Sequence, residues 1–111
     1  MSKYLNVDAL KSHFDGDEEM IRELLEIFES TYEEILIDAI NAANDQSYSD
    51  LEHAAHTLKG MVANFFSEDL KNAAFELEKM GKNGELIGDV KPILDLLTTG
   101  IPDLIQEVKS I

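Results

Sequence analysis

Apolar side chains recur three and four residues apart along nearly the whole chain, which is the helical period. No stretch alternates polar and apolar residues as a half-buried strand does, and helix-forming residues dominate. Breakers fall at Asp15-Gly16-Asp17, Asn44-Asp45-Gln46-Ser47 and Gly81-Lys82-Asn83-Gly84. The pattern predicts a short first helix over about Val7 to Phe14, with Asn6 as its N-cap. A long second helix starts near Asp17. Met20, Ile21, Leu24, Leu25, Phe28, Tyr32, Ile35, Ala39 and Ile40 form its apolar face.

The third helix opens on Ser49-Asp50-Leu51-Glu52, a capping-box pattern with Ser49 as cap. Its inward stripe is Leu51, Ala55, Leu58, Val62 and Phe65. The fourth helix begins at Ser67, turns Leu70, Ala73, Ala74, Leu77 and Met80 inward, and is expected to stop at Gly81. From Leu86 to Val108 the spacing keeps one phase through Gly100 and Pro102. This predicts one long helix bent near Pro102, with two shorter helices as the alternative. Helices with one apolar face each, joined by short loops, make an all-α antiparallel four-helix bundle with a short extra N-terminal helix.

Composition narrows the possibilities. At 111 residues the chain is expected to be a single domain, residues 1–111. It has no cysteine, which excludes disulfides, thiolate metal sites and cysteine nucleophiles. No apolar run approaches the roughly 20 residues of a membrane span, and the opening MSKYLNVDAL has no signal-peptide core. A cytoplasmic protein is expected, and the initiating Met and compact ends lead one to expect a complete one. The net charge of −14 repels phosphate backbones and anionic lipid, so neither nucleic-acid nor membrane binding is expected. No Gly-rich loop followed by Lys-Ser or Lys-Thr is present, and no ATP site is expected.

Candidate chemistry sits on the third helix, Leu51-Glu52-His53-Ala54-Ala55-His56-Thr57-Leu58-Lys59-Gly60-Met61-Val62-Ala63. With the apolar stripe set to zero, His56 lies roughly 140° round the helix, toward solvent. Glu52, Lys59, Gly60 and Ala63 share that outer line. A neutral imidazole is nucleophilic, and Lys59 places a cation one turn away. Gly60 costs a helix roughly 1 kcal/mol relative to alanine, a cost that makes sense where something approaches the backbone closely. Acid is expected on the second helix and the far ends, with a near-neutral, partly apolar patch around His56. Glu52 is its main acid, and Lys71, Lys79 and Lys82 add positive charge near one rim.

Ala55-His56-Thr57-Leu58-Lys59-Gly60, followed by Ala63-Asn64 and by Ala74 and Leu77-Glu78 on the next helix, resembles the signature of histidine-containing phosphotransfer (HPt) domains. The resemblance implies that His56 is phosphorylated, that Lys59 supports the phosphoryl group, and that Glu52, Gly60 and Ala63 form a docking surface. It implies a monomeric carrier with no catalytic residue beyond its nucleophile and no cofactor. Partners would be receiver domains of a hybrid sensor kinase and of response regulators, which supply the aspartate and the divalent metal. Met61 stands where the family often has Ser or Ala, and Phe65-Phe66 where a glycine often follows; Phe66 is either core or docking surface. Two rival readings are a metal site at Glu52, His53 and His56, and a non-phosphorylated helical adaptor binding a partner through the same face. Against the first, His53 and His56 point outward and no second Glu-x-x-His is present. His13 is expected to be an ordinary polar residue.

Overall fold

The computed structural model describes residues 3–86 and 90–110. Among these residues five helices follow in order: α1 (Val7–His13), α2 (Glu18–Asp45), α3 (Tyr48–Ala63), α4 (Glu68–Asn83) and α5 (Lys91–Lys109). Among the described residues there is no strand. The longer four close a ring, α2 on α3, α3 on α4, α4 on α5 and α5 back on α2. At 1.5 Å per residue, the 28 residues of α2 run the full 41 Å of the molecule.

The inward stripes supply the core. Leu51, Ala55, Leu58, Val62 and Phe65 are buried, as are Leu70, Ala73, Ala74, Leu77 and Met80, and from α5 Leu97, Ile101, Leu104, Ile105 and Val108. Phe65 stacks on Phe28 at 5.2 Å between ring centroids, locking the end of α3 onto α2. The face of α2 departs from expectation at Met20, which is half exposed, while Leu36 turns inward. Tyr4 and Leu5 are buried, and their backbone N–H groups both donate to the Glu107 carboxylate of α5, at 2.9 and 3.0 Å.

Asn6 caps α1 by accepting from Ala9 N, and Asp17 caps α2 by accepting from Met20 N. The capping box at Ser49 does not form. Gln46 adopts a left-handed conformation that ends α2, so only Gln46 and Ser47 separate the two helices and α3 begins at Tyr48 with Ser47 as cap residue. Ser67 occupies the N-cap of α4 but makes no side-chain capping bond. Gly81 does not stop α4, which runs to Asn83 and ends on Gly84 at φ +68°.

Gly81 serves another purpose. A Cβ there would lie 2.5 Å from the Glu52 backbone nitrogen and 2.7 Å from the Tyr48 carbonyl, so its absence lets α3 and α4 pack backbone against backbone. The fifth helix is continuous through Pro102. Its expected start near Leu86 lies partly outside the described residues, and the helix begins at Lys91 with Pro92 in its first turn.

Candidate functional site

The close approach at Gly81 brings the residue one turn earlier on α4, Glu78, against the outer line of α3. Glu78 Oε2 lies 2.7 Å from His56 Nδ1, and Oε1 lies 2.6 Å from Lys59 Nζ. One carboxylate thus joins the two residues singled out on α3. The Glu78 side chain is 15% exposed and that of Lys59 25%, whereas that of His56 is 65% exposed. Hydrogen bonding to Lys59 holds the Glu78 carboxyl below its ordinary pKa. Burial opposes that effect without overcoming it, and His56 adds to it.

This arrangement fixes the imidazole. An ionised carboxylate can only accept, so the neutral ring carries its proton on Nδ1 and donates it to Glu78. Nε2, on the far edge of the ring, keeps its lone pair. Nδ1 is tied down, and the exposed edge is nucleophilic.

The surroundings are open on one side. Gly60 is exposed, and a Cβ built there would meet nothing within 4 Å, so no packing within the molecule requires a glycine. Ala63 is half-buried two turns beyond His56, and Glu52 half-buried one turn before it. On α4, Phe75 is 43% exposed, with Lys59 Nζ 5.0 Å and Lys79 Nζ 4.9 Å from its ring centroid. The expected Lys79 contribution is therefore present, tethered also to Glu76 at 2.9 Å.

The expectation for acid near His56 needs correction. The carboxylate in contact with the ring is Glu78, not Glu52, and Lys59 balances its charge. Sequence reasoning did not assign Glu78 to the site. The available signals were its place in the Leu77-Glu78 pair that carries the family resemblance and directly after the inward-facing Leu77, but the partner helix and register come only from the fold. Phe65 is core. Phe66 sits at φ +57° and lies half-buried against the His13 ring at 5.4 Å. His53 is exposed and lines the opposite, α2-facing groove with Asp38, Asp45 and Asp50. Among the described residues no group of three or more His, Asp or Glu is placed to hold a metal ion. Among them, too, no helix is long and apolar enough to cross a membrane.

An all-α bundle with an exposed, carboxylate-oriented histidine on one helix face defines a class, and comparison with known proteins agrees with it. The family model described as Hpt domain matches residues 23–111, and the chain belongs to that family. Its members are phosphocarriers rather than kinases, acting in two-component phosphorelays with receiver domains. The fold is similar to the crystal structure of histidine-containing phosphotransfer protein B (HptB) from Pseudomonas aeruginosa PAO1. The TM-score is 0.84 at 24% identity, over 99% of this chain and 95% of that one. No curated protein matches the chain significantly.

Proposed function

We propose that this chain, acting as a single Hpt domain, relays a phosphoryl group on His56 Nε2 between the aspartates of receiver domains. The observation that carries the reading is the Glu78–His56 hydrogen bond, which leaves the exposed ring nitrogen as the nucleophile. The lone pair of Nε2 attacks the phosphorus of a receiver's aspartyl phosphate. The N–P bond forms as the bond from phosphorus to the aspartate oxygen breaks, and aspartate leaves as its carboxylate. The ring is then a phosphoimidazolium with its proton still on Nδ1, and the Glu78 carboxylate offsets the new positive charge, as the buried aspartate of a serine-protease triad does. The reverse sequence delivers the group to a second receiver.

Lys59 is paired to the same carboxylate as His56, positioned to balance negative charge brought to His56. Gly60 and Ala63 leave the partner's approach clear, with Glu52 at the edge of the same face. Phosphoryl transfer relies mainly on positioning and charge neutralisation. The receiver contributes the divalent metal and the aspartate, and this chain the fixed nucleophile. It binds no ATP and needs no cofactor.

The test is incubation with ³²P-labelled receiver domains. Label is expected on the wild-type chain and not on His56→Gln, with helicity and melting temperature nearly unchanged, because substitutions at exposed positions usually alter stability by no more than about 0.5 kcal/mol. Label on His56→Gln at the wild-type rate contradicts the assignment. Binding without label would instead make the chain an adaptor.

A further inference from the structure

We infer that Phe75 is the apolar anchor by which the chain holds its receiver partner, and that Lys59 and Lys79, each paired to a carboxylate of this chain, form a charge-balanced bracket around it. The inference rests on the phosphotransfer reading of His56.

Among the described residues the large exposed apolar side chains are Met20, Ile27 and Ile37 on α2 and Phe75 on α4. Phe75 therefore stands apart from the others, and it stands beside His56. Glu78 touches His56, and Phe75 lies one turn before Glu78 on the same face of α4. Residues one turn apart have Cβ atoms about 5–6 Å from each other. A standard interface covers about 800 Å² per partner, a disc of about 16 Å radius. Any domain that brings an aspartate to His56 Nε2 must lie over this region, and Phe75 falls well inside such a footprint.

Phe75 is also held in place. Lys59 and Lys79 both lie about 5 Å from its centroid, and each is tied to a carboxylate, Lys59 to Glu78 and Lys79 to Glu76. A ring fixed before binding loses less freedom when it is covered, which is what distinguishes an anchor from a flexible contact. The bracket also runs against the charge of the chain. In a protein of net charge −14 with nine Lys and Arg, two ammonium groups converge on one aromatic ring next to the nucleophile. An acidic partner surface is repelled by most of this molecule and least here, where the Lys59–Glu78 and Lys79–Glu76 pairs leave the patch near neutral, which orients docking.

The experiment measures the affinity of a receiver domain that exchanges phosphoryl groups with the wild-type chain, by titration calorimetry at two salt concentrations. Phe75→Ala is expected to weaken binding at least tenfold, and Phe75→Leu by less. Lys79→Gln, which leaves Glu76 unpaired, is expected to weaken binding, and more so at the lower salt concentration. Ile27→Ala, on α2, is expected to bind like wild type. Circular dichroism confirms that each variant is folded. A Phe75→Ala variant that binds within twofold of a wild type that does bind overturns the Phe75 assignment alone. A wild type that binds no receiver overturns this inference and the proposed function together. Sedimentation showing a wild-type dimer that Phe75→Ala dissolves would make a second copy of the chain the occupant, and overturn the inference.

Discussion

Replacing Glu78 with Gln removes one negative charge beside His56 and changes little else in shape. During transfer the ring gains a positive charge, with the carboxylate oxygen 2.7 Å from Nδ1. Charge centres about 4 Å apart interact by about 1 kcal/mol in water and about 4 kcal/mol at an effective dielectric of 20. The His56 side chain is 65% exposed, so the value belongs near the lower end, at about 1–2 kcal/mol. That corresponds to a rate about 5- to 30-fold slower. The carboxylate also repels the incoming phosphoryl group, but that group is present before and after the step within the docked complex. Its repulsion therefore acts on binding and not on the step itself. The two effects separate in a rapid-quench single-turnover assay with excess ³²P-labelled receiver. The rate constant at saturation should fall 5- to 30-fold, while the concentration of phosphorylated receiver needed for half-saturation stays the same or falls. A saturating rate within twofold of wild type would refute the account of Glu78.

Two glycines predict opposite outcomes. Gly81→Ala places a Cβ against the backbone of α3 and should cost about 1–3 kcal/mol, whereas Gly60→Ala meets open space and should gain up to about 1 kcal/mol of helix propensity; thermal melts resolve both, at about 4–8 °C per kcal/mol. Gly60→Gln should likewise keep the fold yet slow transfer by blocking the partner, as measured with the same labelled receiver. The Glu78 carboxyl titrates below its ordinary range in the folded chain, so the unfolded chain takes up that proton first and the pairing stabilises the fold above the ordinary glutamate pKa, about 4.3. That contribution should fade as pH falls from there through the lowered folded value. Urea melts should therefore show wild type losing its stability advantage over Glu78→Gln in that window.

Much of this fold was legible because the helical stripes are unambiguous: every residue of the α3 and α4 stripes read from spacing is buried. The continuity of α5 through Pro102 was readable for the same reason, since the apolar phase does not shift there. Helix ends were less legible. Ser49 and Glu52 have the spacing of a capping box, but Gln46 in a left-handed conformation starts α3 earlier, and local pattern cannot show whether Ser47 or Ser49 serves as cap residue. Gly81 looked like a stop because glycine commonly ends helices, while its use is to let two backbones touch, a requirement set by a helix 29 positions earlier in the chain. The exposed line of His56, Lys59 and Gly60 followed from periodicity. Glu78 could not, because its role depends on the register between α3 and α4, and no spacing within one helix encodes that.

The central claim is that Nε2 of His56 carries the phosphoryl group because Glu78 holds the proton on Nδ1. It is tested most directly by ¹⁵N and ³¹P NMR of ¹⁵N-histidine-labelled chain, before and after phosphorylation by a receiver. The account predicts that the free His56 ring is in the Nδ1–H form, that phosphorylation couples ³¹P to its Nε2, and that His13 and His53 are unchanged. A phosphorus coupled to Nδ1 of His56, or to either other histidine, would contradict it.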